Sequence, residues 1–209
     1  MSGAAAIVLA AGRGSRFGDS PKLLALLDGK PLVRHVAEAA LASRAAPVLA
    51  VVGHREGEIR ASLAGLSVTT VPNPAYAEGL STSLRAGFAA LPREAEAAVI
   101  LLGDMPRVRA ALIDGLLDAW RRDRGAVAVV PTHAGRRGNP VLLSRTLAPA
   151  IAALTGDAGA GPLLRGRPDM LEWPTDDPAV LQDVDTPAAL ADLRDQRSRF
   201  ASARQRSEQ

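Results

Sequence analysis

Short runs of apolar residues alternate along the chain with stretches whose apolar positions recur at helical spacing. The apolar runs predict buried strands over Ala4–Ala10, Val48–Val52, Ser67–Val71, Ala97–Leu102, Ala126–Val130 and Pro140–Leu143, and an outer strand over Leu171–Trp173. The amphipathic stretches predict helices over Pro31–Ser43, Glu56–Leu63, Thr82–Leu91, Arg109–Arg122 and Pro187–Arg197. Strands that are apolar throughout belong to parallel sheets with helices on both faces. We therefore expect a three-layer α/β/α sandwich with a mostly parallel, doubly wound sheet and one antiparallel strand late in the chain.

Length and composition are those of one folded domain. The chain has 209 residues, of which 47% are hydrophobic and 22% are charged, as in globular rather than disordered proteins. We expect a single domain over residues 1–197 and a flexible basic tail over residues 198–209, because the residues after Arg197 are polar and lie outside every motif.

The charge gives no reason to expect a nucleic-acid partner. The net charge is +3, and residues 194–209 alone carry five arginines against two acidic residues, so the rest of the chain is neutral. Aromatic residues make up 3% of the chain, which argues against the stacking platforms of proteins that bind single strands.

Two features that the sequence lacks bear on the cellular compartment and on membrane insertion. The sequence has no cysteine, which excludes a disulfide scaffold, a thiolate metal site and a cysteine nucleophile. The apolar stretch near the start, Ala4–Ala11, is far shorter than the ~20 residues of a membrane-spanning helix, and no basic segment precedes it as in a signal peptide. We expect a cytoplasmic protein with no membrane partner.

A glycine-rich loop directly follows the first predicted strand, and its residues 12–18 read GRGSRFG. Such a backbone can wrap an anionic group with its amides, while Arg13 and Arg16 can each fork onto phosphate oxygens. Lys22, one of only two lysines, lies just past the loop and is a candidate charge clamp. The glycine spacing differs from the dinucleotide fingerprint G-x-G-x-x-G and from the P-loop. The loop therefore predicts phosphate binding of another kind.

Two acidic positions are candidates for the same site. Asp104 follows the most apolar predicted strand, and the carboxyl ends of parallel strands form the ligand edge of such a sheet. Asp183 and Asp185 precede the last predicted helix, and in an extended stretch they point to opposite sides, so only one of them can face the site.

Two further polar segments follow predicted strands. In residues 73–84, Gly79 and Ser81 open a helix whose N-terminus can bind polar edges or anions; simple capping by Ser81 is the alternative. Residues 132–141 form a polar, hairpin-like loop, where Arg136 and Arg137 can hold an anionic second substrate or merely face solvent.

The opening segment LAAGRGSRFG (residues 9–18), followed by PKLL at residues 21–24, resembles the signature of the sugar-nucleotide-type nucleotidyltransferases. From Ile7 to about Leu193 the chain resembles, more narrowly, the molybdenum cofactor cytidylyltransferases of the MobA-like NTP transferase family. The resemblance implies a Rossmann-like nucleotidyltransferase fold of the GT-A type. It also implies an activity, in which CMP passes from CTP to a phosphorylated acceptor, the molybdenum-bearing pterin, and pyrophosphate leaves. A molybdoenzyme or its chaperone is the implied protein partner.

The same resemblance implies a role for each candidate residue. Mg²⁺ is the implied cofactor, with Asp104 and Asp185 as its ligands, since Mg²⁺ is usually held by one or two carboxylates plus substrate phosphates. The residues implied to act on the phosphates are Arg13, Arg16 and Lys22. The implied nucleotide-binding residues are Leu9, Ala10, Ala11, Gly12, Gly14, Asn73, Gly79 and Ser81. The implied acceptor-binding residues are Arg136, Gly138 and Asn139.

Two positions depart from related patterns. The guanylyltransferases that the chain resembles tend to carry glycine where Ala11 stands, and the added methyl group favours CTP over GTP. The related enzymes usually carry arginine where this chain has Gly161, which puts the pterin acceptor in doubt unless Arg165 takes the place of that arginine. The alternatives are a guanylyltransferase or other NTP transferase with a different phosphate acceptor, an oxidoreductase relative of the family, and a non-catalytic nucleotide-binding or cofactor-delivery protein.

Overall fold

A central sheet carries the fold of the computed structural model, which describes residues 3–14, 17, 21–123 and 125–195. The strands of these residues are β1 (Ala4–Ala10), β2 (Leu26–Leu27), β3 (Lys30–Pro31), β4 (Val48–Val52), β5 (Val68–Pro72), β6 (Ala97–Leu102), β7 (Ala128–His133), β8 (Arg136–Arg137), β9 (Val141–Ser144) and β10 (Met170–Pro174). Their α-helices are α1 (Leu32–Leu41), α2 (Glu56–Ser62), α3 (Leu80–Ala89), α4 (Ala110–Arg122), α5 (Ala148–Ala152), α6 (Gly161–Leu164) and α7 over residues 187–195.

The main sheet has the strand order β10-β7-β9-β6-β1-β4-β5. Along this path every strand runs in the same direction except β9, which is antiparallel to both β6 and β7. The short β8 forms an antiparallel hairpin with β7, and β2 pairs with β3 in a separate small hairpin. The predicted mostly parallel sheet with an antiparallel strand late in the chain is confirmed, and the predicted outer strand lies within β10 at the edge of the sheet.

Helices cover the sheet on both faces, because the side chains of a strand point alternately to its two sides. On one face of β1, Val8 packs in a cluster with Val36 of α1 and Ile113 of α4. On the other face, Ile7 packs in a second cluster with Leu84 of α3. The expected three layers are therefore present, and β1 is buried from both sides.

Several element boundaries differ from the predicted ones. The helix predicted from Thr82 begins at Leu80, and Pro31, expected within the first helical turn, lies in β3 and precedes α1. The strand predicted over residues 126–130 extends through His133, because its end pairs with β8. At the start of α7, the Thr186 hydroxyl accepts a hydrogen bond from the Ala189 amide at 3.1 Å, so Thr186 is the N-cap of this helix.

The helices are of ordinary globular length. The longest in the described part of the chain, α4, has 13 residues. Among the described residues, no helix combines the length and apolar character needed to cross a bilayer.

Candidate functional site

A cavity of about 390 Å³ lies at the carboxyl ends of β1 and β6. We call it the first cavity. The candidate residues that line it are Leu9, Ala11, Gly12, Arg13, Gly14, Lys22, Gly79 and Asp104. Segments far apart in the sequence thus meet at the sheet edge where parallel strands commonly bind ligands.

The close pairing of β1 with β6 brings Asp104 to this edge. Leu9 and Leu102 are partners in register, and the Gly103 amide donates to the Leu9 carbonyl at 3.1 Å. A Cβ atom on Gly103 would lie 3.0 Å from that carbonyl oxygen, which is tighter than nine in ten real Cβ contacts. Glycine at position 103 therefore allows the end of β6 to pack against β1 and to present the next residue to the cavity.

Lys22 joins two carboxylates at the first cavity. Its Nζ lies 2.5 Å from Oδ2 of Asp104 and 2.8 Å from Oδ1 of Asp185. The Val184 amide donates to the Asp104 carbonyl at 2.9 Å, which holds residues 183–185 beside the end of β6. Of the two acidic residues in that segment, Asp185 is the one that faces Lys22.

The electrostatics of this triad favour a protonated Lys22. Burial alone lowers the pKa of the amine, but the charges and hydrogen bonds of Asp104 and then Asp185 outweigh it, so the pKa lies above its ordinary value. Lys22 is therefore a cation in the neutral pH range, shared by both carboxylates.

Asp104 has one oxygen that this arrangement leaves unsatisfied. Its Oδ1 is buried and has no hydrogen-bond partner among the described residues. A buried polar oxygen without a partner is costly, and carboxylate oxygens are ligands that Mg²⁺ and Mn²⁺ accept. Asp104 and Asp185 therefore fit a divalent cation. In the described ranges no group of three or more His, Cys, Asp or Glu side chains is arranged to hold a metal, so the donor set would be completed by a ligand or water.

Tyr76 is a cavity residue to which the sequence analysis assigns no role. The guanidinium of Arg13 lies 5.7 Å from the centre of its ring, within cation–π range. On another side the ring centre of His54 lies 5.9 Å away, and a Cβ atom on Gly53 would lie 2.7 Å from Cβ of Tyr76. Tyr76 thus packs closely against the end of β4 and supports an arginine of the glycine-rich loop.

The N-terminus of α3 is closed in part by a neighbouring loop. The Ser81 amide donates to the Gly156 carbonyl at 3.1 Å, so this amide is not directed at a ligand. Gly79 has φ +114°, and a Cβ atom there would lie 2.3 Å from the carbonyl carbon of Gly156. The contact places Asp157 in the wall of the first cavity.

Three candidate nucleotide-binding residues lie behind the cavity wall. Asn73 is buried and donates to Oγ1 of Thr82 and Oγ of Ser83, at 2.8 and 3.0 Å, so it anchors the start of α3. Ser81 is fully buried, and its hydroxyl has no partner among the described residues. Ala10 points into the core cluster on the opposite face of β1. None of these three side chains lines the first cavity, whereas Ser83 does.

A second cavity, of about 300 Å³, lies next to the first. Both are lined by Leu9, Leu80 and Leu102. The candidate acceptor residues Gly138 and Asn139 line the second cavity, while Arg136 is exposed on β8 and lines neither. Arg137 also lines it, and its Nε lies 2.7 Å from Oε1 of Glu172.

Some predicted positions lie outside the described residues. They are residues 15–16 and 18–20, which include Arg16, and the tail over residues 198–209.

Comparison with protein families finds a match to the MobA-like NTP transferase domain over residues 6–173. Among curated proteins, the nicotine blue oxidoreductase of Paenarthrobacter nicotinovorans is 32% identical over 188 residues, which cover 86% of this chain and 91% of that protein. The bifunctional protein GlmU of Pelobacter propionicus is 34% identical over 148 residues, which cover 70% of this chain but 32% of GlmU. The chain thus spans about a third of the length of this second relative.

Solved structures of similar shape cover nearly the whole chain. The homologue of Mycobacterium tuberculosis Rv0371c from Mycobacterium sp. strain JC1 has a TM-score of 0.82 and 28% identity, over 95% of this chain and 98% of that one. A nucleotidyl transferase from Methanothermobacter has a TM-score of 0.80 and 26% identity, over 94% and 98%. Rv0371c in complex with manganese has a TM-score of 0.77 and 27% identity, over 92% and 98%.

Proposed function

Since the chain belongs to the MobA-like NTP transferase family, we propose that it transfers CMP from CTP to a phosphorylated acceptor and releases pyrophosphate. Nucleotidyl transfer is the activity that family membership supports. The choice of CTP, of Mg²⁺ and of the acceptor rests on the residues argued below.

The observation that carries the proposal is the position of Lys22 between Asp104 and Asp185 at the first cavity. A triphosphate brings several negative charges, which a site with two carboxylates accepts only if cations accompany it. Lys22, Arg13 and the backbone amides of residues 12–14 would supply part of that positive charge.

The rest of the positive charge would come from a divalent cation that the two carboxylates hold. Asp104 and Asp185 would hold a divalent cation, Mg²⁺ in our proposal, which when bound neutralises charge on the triphosphate and the departing pyrophosphate. The unpartnered Oδ1 of Asp104 supports this assignment. The manganese in the Rv0371c complex, a protein 27% identical to this chain, supports a divalent cation in general.

The transfer needs no strong general base. A phosphate monoester has a second pKa near ~6, so the acceptor's phosphate is largely a dianion at neutral pH. One of its oxygens attacks the α-phosphorus in line and forms the new P–O bond, while the bond from the α-phosphorus to the bridging oxygen breaks and pyrophosphate leaves. The protein's part is to position both substrates and to neutralise charge.

Ala11 supports the preference for CTP. Its side chain is 2% exposed and lines the first cavity, directly before the glycine-rich loop. A methyl group in this wall leaves less room for a base than glycine would, and a pyrimidine is smaller than a purine. We infer that CTP is used in preference to GTP.

The acceptor suggested by the motifs is a molybdenum-bearing pterin phosphate, with a molybdoenzyme or its chaperone as the receiving partner. The test is pyrophosphate release from each of the four ribonucleoside triphosphates, with and without molybdenum cofactor. We expect release that depends on CTP and on an acceptor. Release from GTP at an equal or higher rate would overturn the CTP assignment.

An oxidoreductase is the second candidate function. It is favoured by the 32% identity to nicotine blue oxidoreductase over 91% of that protein's length. The glycine spacing of residues 12–18 speaks against a dinucleotide-binding fingerprint. Calorimetric titration with NADH, NADPH and CTP separates the two functions, because a transferase should bind CTP and neither nicotinamide cofactor.

A further inference from the structure

The Lys22 side chain runs from the glycine-rich loop to the two carboxylates of the first cavity. A Cβ atom built on Gly14 would lie 2.9 Å from Cβ and 3.7 Å from Cε of Lys22, so the loop backbone lies along the stem of the lysine. At the far end of that stem, Nζ contacts Oδ2 of Asp104 and Oδ1 of Asp185. The ammonium therefore lies within reach both of an anion held by the loop and of a cation held by the carboxylates.

The ammonium and a divalent cation compete for the two carboxylates. The oxygens that contact Nζ, at 2.5 and 2.8 Å, can be no further apart than the sum of these distances. A divalent cation shared by Asp104 and Asp185 would lie beside the same oxygens, a few ångströms from Nζ. Two cations at that separation repel each other, and the repulsion is strong because Lys22 and Asp104 are mostly shielded from water. Lys22 must therefore leave the carboxylates before both of them can hold the metal firmly.

The backbone, rather than the ammonium, fixes the positions of the two carboxylates. The residue before Asp104 donates its amide to the Leu9 carbonyl at 3.1 Å. Val184, the residue before Asp185, donates its amide to the Asp104 carbonyl at 2.9 Å. Both acidic residues therefore stay at the cavity edge when the ammonium moves, and the pair of carboxylates is preserved.

A triphosphate in the first cavity gives the ammonium another partner. The amides of residues 12–14 suit an anion, and such an anion would lie close to the lysine stem that passes Gly14. The stem has four flexible carbons, so Nζ can turn toward the loop without a change in the backbone. Phosphate oxygens accept strong, charge-assisted hydrogen bonds from an ammonium, and a triphosphate carries more negative charge than the two carboxylates.

We propose that Lys22 is an exchangeable occupant of the metal site, which makes metal uptake depend on triphosphate binding. A triphosphate draws the ammonium onto its phosphates and leaves both carboxylates to the divalent cation. Without a triphosphate, the protein holds the metal weakly. By thermodynamic linkage, the metal in turn strengthens triphosphate binding by the same factor. The identity of the anion as a substrate rests on the proposed function, whereas the exchange rests on the contacts of Lys22.

The first test measures Mn²⁺ binding to the nucleotide-free protein by electron paramagnetic resonance of the unbound ion. Lys22→Met and Arg13→Met form a matched pair, because each removes one positive charge from the lining of the first cavity. Lys22 contacts the carboxylates, whereas Arg13 lies against Tyr76. We expect Lys22→Met to bind Mn²⁺ at least about tenfold more tightly than the wild type, and Arg13→Met to stay within about twofold of it. No gain in Lys22→Met, or an equal gain in both variants, overturns the proposal.

The second test follows the exchange in the wild-type protein. The chain has only two lysines, so protein labelled with ¹³C at Cε of lysine gives two signals in a nuclear magnetic resonance spectrum. Lys30 is the internal reference, because it is 50% exposed and pairs with Glu38, and Lys30→Met assigns the two signals. We expect α,β-methylene-CTP in EDTA to shift the Lys22 signal and to leave the Lys30 signal in place. A Lys22 signal that does not move overturns the exchange.

Pyrophosphate release, measured separately, distinguishes failure of this proposal from failure of the proposed function. Tighter Mn²⁺ binding in Lys22→Met without pyrophosphate release from any triphosphate supports the exchange and removes the transferase. Pyrophosphate release by the wild type, combined with unchanged Mn²⁺ binding in Lys22→Met, supports the transferase and removes the exchange.

Discussion

The Nζ atom of Lys22 lies 2.5 Å from Oδ2 of Asp104, across 82 positions of sequence, and also contacts Asp185. The side chains of Lys22 and Asp104 are 12% and 16% exposed, so water screens this ion pair only in part. The pair joins the end of β6 to the residues after the glycine-rich loop. It also gives the site its main electrostatic feature, a cation shared by two carboxylates, and the first two predictions depend on it.

Asp104→Asn should abolish turnover and leave the fold intact. Asparagine keeps the size and polarity of the side chain at the cavity edge but removes the charge that would hold a divalent cation. Loss of that cation should cost several kcal/mol of transition-state stabilisation, about a thousandfold in kcat. Steady-state kinetics together with a thermal melt measure both expectations. Asp185→Asn should be milder, because this carboxylate is more exposed, at 37%. Near wild-type turnover in Asp104→Asn would remove the metal assignment.

Lys22→Met should destabilise the protein in the absence of divalent metal. Without the ammonium, Asp104 and Asp185 are left as two neighbouring carboxylates without their shared cation, one of them mostly buried. The expected loss is on the order of 2 kcal/mol of unfolding free energy.

The same variant should gain more stability from added Mn²⁺ than the wild type does, because the ammonium no longer competes for the carboxylates. Urea unfolding with EDTA and with Mn²⁺ measures both effects. An equal response to Mn²⁺ in the two proteins would contradict this account.

Tyr76→Leu should weaken triphosphate binding, while Tyr76→Phe should not. Both substitutions remove the hydroxyl, but only phenylalanine keeps an aromatic face beneath the guanidinium of Arg13. An exposed cation–π contact contributes about 0.5–1 kcal/mol, so KM for the triphosphate should rise about two- to fivefold in Tyr76→Leu. If both variants change KM equally, the hydroxyl rather than the ring face matters.

Gly79→Ala should separate the start of α3 from the loop that contains Asp157. Gly79 has φ +114°, and its built Cβ lies 2.3 Å from the carbonyl carbon of Gly156, so the backbone must move. We expect a loss of at least about 2 kcal/mol of unfolding free energy and a fall in kcat/KM. Gly57→Ala in α2 is the control, since its Cβ meets no heavy atom within 4 Å. Equal stability of the two variants would show that the start of α3 and the loop that contains Gly156 are not held together as described.

The layers of the fold could be predicted because buried strands and amphipathic helices leave long, regular patterns. The central runs over residues 4–10, 48–52 and 97–102 are strands with the predicted bounds. Elements of two to five residues, such as β8 and α6, are too short to show a period and are set by tertiary pairing.

The candidate site was predictable in part. Asp104 and Lys22 lie at the cavity because strand ends and glycine-rich loops have fixed positions in such a sheet. The choice between Asp183 and Asp185 depends on one long-range hydrogen bond, from Val184 to the Asp104 carbonyl. The contact of Tyr76 with Arg13 joins two segments that no local pattern relates.

The measurement that tests the central claim most directly follows the phosphorus atoms of the nucleotide. The enzyme is incubated with an acceptor and with CTP labelled at either the α- or the γ-phosphate. The account predicts that the α-label appears in the acceptor product and the γ-label in pyrophosphate, in equal amounts. It also predicts that neither transfer occurs with Asp104→Asn. Release of the γ-label as inorganic phosphate, or an acceptor that carries no α-label, would contradict nucleotidyl transfer.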